Sequence, residues 1–269
     1  MNIFSIHVIV SNISNVDETH FTLRDETREL LEGYQYHENW IHHYTRLKYY
    51  RLILKQRQFR LTRCDLLEDP HEGDLIDSYI KKAIDSIPDI QKRSDMDESY
   101  SRFRKAHIEP NNVYVGSFCR TSESYLMWKA YGGNLAGGCI SLKKKDPADK
   151  RIKLVRVLYD NRSKEQLVKK IIQSISESRF MGPDYDGIFS FVFESLRFIF
   201  KKKEYSGERE IRVIYYDNNG DDCYRFINLE DYFDIKGTIG PKSSYKSTGT
   251  NHGIAEHKSK IELRTRPLC

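Results

Sequence analysis

Two adjacent histidines are the first feature of this sequence that could do chemistry. His42 and His43 lie in the stretch WIHHYT at residues 40–45. An imidazole can exchange a proton or hold a ligand near neutral pH. The stretch is typical of a strand end, where neighbouring side chains face opposite ways, so only one histidine can enter a given site. Either histidine can instead be a structural or surface residue.

A second ionisable group lies late in the chain, at a spacing of two residues. Glu208, Glu210 and Arg212 alternate with the apolar Ile211 and Val213 in the stretch EREIRV. A strand would place the three charged side chains on one face. In a pocket, the arginine would hold a glutamate ionised and oriented. On an exposed or edge face, the same residues would form an ordinary ion pair.

A third group combines a serine with two aromatic residues. Ser117 lies near the end of a predicted strand, and Trp128 and Tyr131 follow it on a short predicted helix. A spacing of three residues puts both rings on one helical face. Such a pair is typical of core packing, but it can also stack a flat ring of a ligand.

The elements that must position these residues alternate irregularly between strands and helices. We expect a strand ending near Thr45, whose hydroxyl caps the following helix. A strand at 112–120, a helix at 122–132 and a strand at 205–217 carry the other candidates. Because there is no regular βαβ spacing, the order predicts an α+β fold with mainly antiparallel strands.

Further elements are expected outside these groups. An apolar stripe predicts a helix at about 74–87, and Ser163 with Gln166 fits a capping box that opens another. The stretch 187–203 is apolar nearly all round, which indicates a buried helix. Strands are expected at 3–10 and 259–268.

Composition limits the class of protein. The chain has 269 residues, 39% hydrophobic, and no Pro/Gly/Ser-rich linker divides it. We therefore expect one domain at 38–269 behind an extension at 1–37. There is neither a glycine-rich dinucleotide fingerprint nor a P-loop motif, so no Rossmann or P-loop site is supported.

Cysteine usage and hydropathy indicate the compartment. Five cysteines without a CxxC pair suit free thiols in a reducing cytosol. We see no secretory signal and no apolar run long enough to span a bilayer, so we expect a cytoplasmic protein without a membrane partner. The net charge of +5 permits contact with nucleic acid or an acidic ligand without arguing for it.

Taken in order, seven stretches resemble the bacterial proteins grouped as domain of unknown function 2971. They are WIHHYT (40–45), FRLTRCDLLEDPHEGD (59–74), YVGSFCRTSESYLMWKAYGGNLAGGCISL (114–142), VRVLYD (155–160), KKKEYSGEREIRV (201–213), IGPKSS (239–244) and SKI (259–261). The resemblance covers about residues 38–265. The chain departs from that pattern at Glu68 and His71, where the family usually has Asn and Phe.

That family in turn is similar to the H-Y-E branch of ADP-ribosyltransferases. The resemblance implies a split antiparallel β-barrel with flanking helices that holds NAD in a cleft. By motif position the ribose-binding histidine is His43, and the catalytic glutamate is Glu210 or Glu208. The stacking aromatic residue is Tyr131 or Trp128, with Tyr44 as a further alternative. The residues that the resemblance places around NAD are Thr45, Tyr44, Asp69, Glu72, Ser117, Trp128, Tyr131 and Arg212.

The implied activity is transfer of ADP-ribose from NAD, as substrate, to a protein or nucleic acid. Breaking the nicotinamide–ribose bond builds positive charge on the sugar, as in glycoside cleavage. A fixed carboxylate stabilises that charge and a histidine positions the ribose. No metal is expected. A bacterial toxin or an antiphage defence effector is the implied role.

Two other functions stay open. Asp69, His71 and Glu72 could join the stretch EHK at 256–258 in a metal-dependent nuclease. The fold could also persist as an inactive nucleotide-binding sensor. The transferase hypothesis predicts that His43 and Glu210 line one cleft with Trp128 or Tyr131, and side chains of His43 and Glu210 on opposite sides of the barrel would end it.

Overall fold

The computed structural model describes residues 35–36, 40–67, 75–106, 113–146, 151–177, 189, 196–217, 222–243 and 256–258. In chain order the elements are β1 (Ile41–Thr45), α1 (Leu47–Gln56), β2 (Gln58–Arg63), α2 (Leu75–Asp85), α3 (Ile90–Ala106), β3 (Val113–Cys119), α4 (Tyr125–Ala130), β4 (Gly138–Lys144), β5 (Ile152–Arg156), α5 (Asn161–Ser176), β6 (Glu210–Tyr216), β7 (Tyr224–Asn228), α6 (Leu229–Tyr232), β8 (Phe233–Ile239) and β9 (Glu256–Lys258). Short 3-10 helices span Cys64–Leu66 and Lys203–Glu208.

The chain divides into two compact units. A helical unit comprises Met1–Gln35, Asp69–Pro110 and Leu158–Lys203, and a sheet unit comprises Tyr36–Glu68, Asn111–Val157 and Glu204–Cys269. Every described strand belongs to the sheet unit. The predicted candidate residues that the structure describes also lie there.

The helical unit packs α2 against α3 and α5. The predicted apolar stripe of α2 is buried, at Ile76, Ile80 and Ile84 among others. The capping box predicted for α5 is wrong. The helix begins earlier, because the Asp160 carboxylate accepts a hydrogen bond of 2.7 Å from the backbone N–H of Ser163. A carboxylate at this position accepts a hydrogen bond from a backbone N–H that has no partner within the helix. Its negative charge also interacts favourably with the positive end of the helix dipole.

The sheet unit contains one sheet in the order β5-β6-β3-β1-β4-β8-β9, with β2 pairing both β3 and β7. Every pairing is antiparallel except that of β8 with β9. The sheet curls into a half-barrel with helices beside it. The predicted mixture of helices with mainly antiparallel strands is therefore confirmed.

The sheet branches along one edge of β3. The first part of that edge pairs with β2, through Val115 opposite Thr62, and its end pairs with β1, through Cys119 opposite His42. The other edge pairs with β6 along its whole length. The backbone around Ser117 therefore lies where β1 and β2 diverge.

Helix α1 packs closely on one face of the sheet because two glycines, which have no side chain, leave space for the ring of its Tyr50. Tyr50 is fully buried, and a Cβ added at Gly138 or Gly237 would overlap its side chain. The predicted cap at Thr45 is wrong. Thr45 is the last residue of β1, paired with Gly138, and the cap residue is Arg46, which makes no side-chain capping bond.

Several expectations concern residues outside the described part of the chain, namely the strands at 3–10 and 259–268 and most of the helix at 187–203. Cys64, Cys119, Cys139 and Cys223 are thiols. Among the described helices, none combines the length and the apolar content needed to cross a bilayer.

The packing of Tyr50 predicts a specific coupling. Gly237→Ala should destabilise the protein by about 1–3 kcal/mol, because the new Cβ would meet the Tyr50 hydroxyl oxygen first. In a Tyr50→Phe background that oxygen is absent, so the same substitution should cost less. Urea unfolding of the two single variants and the double variant measures the coupling.

Gly138→Ala is the matched control. Its added Cβ would overlap Cδ2 and Cγ of the Tyr50 ring, which phenylalanine retains. Its cost should therefore be equal in both backgrounds. Equal coupling for the two glycines would contradict this account of the packing.

Candidate functional site

The strand register sorts the candidate residues onto two faces of the sheet. Side chains directly opposite each other in an antiparallel pair project from the same face. We name the two faces the α1 face, which packs on Tyr50, and the α4 face, on which Trp128 of α4 packs with Tyr44, Cys119 and Cys139.

His42 lies on the α4 face, in a row with Cys119 and Glu210. Cys119 of β3 stands opposite His42 of β1 on one side and Glu210 of β6 on the other. His42 and Glu210 are thus two strand spacings apart, about 10 Å between their Cα atoms. The small Cys119 side chain lies between His42 and Glu210 on this face.

The electrostatics of His42 favour a neutral imidazole. Its Nδ1 lies 2.8 Å from Oγ of Ser141 on β4. Burial lowers the pKa of His42 to about 4, well below its ordinary value of 6.5. At neutral pH the ring is therefore uncharged and can both donate and accept a hydrogen bond.

His43 lies on the opposite α1 face. Its Nδ1 donates to the backbone carbonyl of Ser117 at 3.1 Å, and its ring packs against Phe59 and Phe118 at centroid distances of 4.8 and 5.5 Å. Burial lowers its pKa, and the Ser117 bond partly opposes that shift. His43 thus bridges the branch point of the sheet. Contrary to the expectation from the motif, it does not share a face with Glu210. The placement that the transferase hypothesis requires of His43 is therefore not met, and the hypothesis needs a different histidine.

Glu210 and Arg212 form a buried ion pair on the α4 face. Their side chains are each about 2% exposed, and Arg212 Nε lies 2.9 Å from Glu210 Oε1. The predicted alternation of β6 is confirmed, since Ile211 and Val213 enter the main core on the other face. In the described conformation the Glu210 carboxylate is oriented by the arginine but is closed to solvent.

Glu208 is the accessible carboxylate, and it is not on the strand. The strand expected at 205–217 begins only at Glu210, because Lys203–Glu208 is a 3-10 helix and Arg209 has a left-handed φ of 49°. A non-glycine residue in that region is strained, and such strain is often found at functional sites. The kink turns Glu208 out of the face that Glu210 occupies.

Tyr131 joins Glu208 through its hydroxyl. Tyr131 Oη donates to Glu208 Oε1 at 2.8 Å, and the tyrosine is 49% exposed. Burial raises the pKa of the nearby Cys119 thiol, on which the charges of Arg209 and Glu208 also act. The backbone N–H of Arg120, the residue after Cys119, donates to the carbonyl of Arg209 at 3.2 Å. The residue that follows Glu208 therefore lies beside the end of β3.

The other predicted aromatic residues are packing residues. Trp128 is fully buried, donates through Nε1 to the Ser122 carbonyl at 3.0 Å and contacts Tyr44 edge-on at 5.1 Å. The Tyr44 hydroxyl donates to the Thr121 carbonyl, and burial raises its pKa. Of the three aromatic candidates, only Tyr131 presents a ring to solvent.

The remaining candidates do not extend this group. Thr45 pairs with Gly138 and shares the α1 face with His43, whereas Ser117 is exposed on the α4 face. Asp69, Glu72 and the alternative metal ligand His71 lie outside the described residues. Within the described part, no three or more His, Cys, Asp or Glu residues could hold a metal ion.

Two residues of the α4 face were not singled out from the sequence. Cys119 occupies the centre of the row, and Ser141 bonds His42. The alternation of β3 would have placed Cys119 on the face of Ser117. No pattern in the sequence indicates the contact of Ser141 with His42, which depends on the pairing of β1 with β4.

The buried ion pair predicts an asymmetric mutational effect. Arg212→Ala should lower the free energy of unfolding by about 3–5 kcal/mol, because it leaves the Glu210 carboxylate buried without its cation. Replacing both residues, as Glu210→Leu with Arg212→Met, should cost less than Arg212→Ala alone. Urea unfolding of the wild-type protein and the two variants tests this, and a double variant that is less stable than Arg212→Ala would contradict it.

The depressed pKa of His42 predicts a pH effect on stability. Between pH 6.5 and about 4, the unfolded chain binds a proton that the folded His42 does not, so stability should fall as the pH falls through this window. His42→Asn should remove this part of the loss. The measurement is the urea midpoint at pH 7.0 and 4.5 for both proteins, and an equal drop in both would contradict the assignment.

Comparison with known proteins finds a family match for part of the chain, which includes several residues of this site. Residues 127–213 match the model of a family described as protein of unknown function, DUF2971. No curated protein and no solved structure matches the chain. The match covers about a third of the chain and includes Tyr131, Glu208, Glu210 and Arg212 but neither histidine. The resemblance to the DUF2971 family is therefore confirmed over residues 127–213.

Proposed function

We propose that the protein binds NAD on the α4 face and transfers its ADP-ribose, as an ADP-ribosyltransferase. The observation that carries the proposal is the hydrogen bond between Tyr131 and Glu208. It brings a solvent-exposed aromatic ring and a carboxylate together near the end of β3, whose Cys119 is paired with His42 of β1. These are the three residue types that the chemistry of nicotinamide cleavage uses.

Tyr131 is proposed to stack on the nicotinamide ring. About half of its surface is exposed, which leaves room for a flat ring to cover it. Its hydroxyl at the same time holds the Glu208 carboxylate 2.8 Å away. The hydrogen bond thereby keeps the carboxylate next to the proposed stacking ring.

Glu208 is proposed to act on the ribose. As the bond breaks, its electron pair leaves with neutral nicotinamide and positive charge builds on the sugar, where a carboxylate stabilises it. A nucleophile of the acceptor then bonds to the anomeric carbon and loses its proton to solvent. Glu210 is assigned a positioning role, since Arg212 fixes it directly after the kink at Arg209.

His42 is proposed as the ribose-binding histidine in place of His43. It lies on the face of Glu210, and its neutral ring can hydrogen-bond a sugar hydroxyl without adding a second cation to the developing positive charge. His43 instead donates to the Ser117 carbonyl from the other face. The branching, curled sheet supports the proposed split-barrel, ADP-ribosyltransferase-like architecture.

The proposed substrate is NAD, the acceptor is a protein or a nucleic acid, and no metal takes part. A cytoplasmic toxin or antiphage effector is the proposed biological role.

A second candidate function is an NAD-binding sensor without turnover. The burial of Glu210 against Arg212 favours it, because the carboxylate of β6 is then closed to a substrate.

Nicotinamide release tests the proposal. Wild-type protein incubated with NAD and bacterial lysate acceptors should release nicotinamide, measured by liquid chromatography. Glu208→Gln should lower kcat by roughly 100-fold or more, as expected for removal of a charge-stabilising group. Glu204→Gln, an exposed glutamate of the same 3-10 helix, is the matched control and should leave turnover unchanged.

Histidine variants separate the two assignments. His42→Asn, which keeps a polar side chain near Ser141, should reduce turnover with little change of the melting temperature. His43→Ala should lower the melting temperature, because the Ser117 bond and the ring packing are removed. Loss of turnover in the His43 variant but not in the His42 variant would assign ribose binding to His43. NAD binding by calorimetry without nicotinamide release would support the sensor, and absence of both would overturn the proposal.

A further inference from the structure

We propose that the outward face of α1 is a nucleic-acid-binding surface that contacts the phosphate backbone. The evidence begins with charge. From Arg46 to Arg63 the chain contains seven Lys or Arg residues, and no Asp or Glu occurs between Glu38 and Asp65. The whole chain, by contrast, has 44 basic and 39 acidic residues, so this stretch is strongly biased against the average composition.

The helix sorts this charge onto its solvent side. Lys48, Arg51 and Lys55 are exposed and spaced by three and four residues, which aligns them in one stripe. At 1.5 Å per residue the stripe is about 10 Å long. Arg46, exposed at the N-terminal end, extends it. A row of like charges at this spacing suits the repeated phosphates of a nucleic acid strand.

The apolar side of α1 is already used by the core. Tyr50 is buried against Gly138 and Gly237, and Leu47, Ile53 and Leu54 pack beside it. Insertion of α1 into a bilayer would need that side of the helix. The basic stripe must therefore bind through charge, without burial of an apolar helix face in lipid.

Two exposed apolar side chains border the stripe. Tyr49 and Leu52 are each 45% exposed, and Lys48 Nζ lies 5.1 Å from the centre of the Tyr49 ring. An exposed tyrosine beside lysine and arginine is the combination that stacks on bases while the cations contact phosphates. Lysine is depleted from protein–protein interfaces, which favours nucleic acid over an acidic protein as the partner.

The basic stripe ends at Lys55, because the next basic residue, Arg57, pairs with an acidic residue. Glu230 pairs with Arg57, at 3.3 Å from Nε. Because the Arg57 side chain is only 15% exposed, we leave it out of the binding surface. The stripe lies over the α1 face, whereas His42 and Glu210 lie on the α4 face, so this surface is independent of the proposed NAD site.

Salt-dependent binding tests the surface. Fluorescence anisotropy with fluorescein-labelled 30-base-pair DNA, and with single-stranded RNA of the same length, gives the affinity between 50 and 200 mM KCl. The affinity of wild-type protein should fall steeply with salt. The combined variant Lys48→Gln, Arg51→Gln and Lys55→Gln should reduce the log–log slope on duplex DNA by about 2 to 3, because each phosphate that a cation neutralises contributes roughly 0.9 to that slope.

A charge-matched control is available in the helical unit. The control variant combines Lys81→Gln, Lys169→Gln and Lys170→Gln. It also removes three positive charges from exposed positions, and it should leave the slope unchanged. Circular dichroism checks the fold of both triple variants. If the α1 variant does not fold, Lys48→Gln alone should still lower the slope by about 0.9.

Three results would overturn the proposal. They are absence of binding to either probe at 50 mM KCl, an equal reduction of the slope in the two triple variants, and binding only to phosphatidylserine vesicles. Because the assay contains no NAD, a protein that fails to release nicotinamide can still bind nucleic acid here. The outcome therefore does not depend on the proposed transferase activity.

Discussion

The antiparallel pairing of β3 with β6 is the constraint on which the candidate site depends. Seven consecutive pairs, from Val113 opposite Tyr216 to Cys119 opposite Glu210, lock the two strands in one register. A slip of one residue would move every side chain to the other face. The Glu210–Arg212 pair would then face the apolar core, and Ile211 and Val213 would leave it. The ion pair and the register thus support each other.

Burial of that pair also explains where an accessible carboxylate can be. A glutamate held at 2% exposure by an arginine is well oriented, but no substrate reaches it in this conformation. Arg209, directly before the first strand residue Glu210, has a left-handed backbone. That kink places Glu208 at the surface, where the Tyr131 hydroxyl holds it. The left-handed backbone at Arg209 thereby separates a buried structural carboxylate, Glu210, from the half-buried Glu208.

Local patterns predicted local features well and long-range geometry poorly. The adjacency of His42 and His43 correctly implied opposite directions, but which of them meets Glu210 depends on the pairing of β1, β3 and β6. These strands are far apart in sequence, and no local pattern contains their register. Element ends were the other source of error. Thr45 can cap a helix, yet β1 uses its backbone in the ladder with β4. The arginine at 209 carries no signal for a left-handed turn, since glycine or asparagine normally marks one.

The position of α1 follows from the same sheet. Gly138 and Gly237 stand on neighbouring strands and admit the Tyr50 ring, which brings the helix close to β4 and β8. With the tyrosine and its apolar neighbours turned inward, the period of the helix leaves Lys48 and Arg51 outward. The core contact therefore sets the direction of the basic stripe, and a helix held this firmly presents its charges without a large entropic cost on binding. One short helix thus combines a structural role on its apolar side with a charged surface on the other.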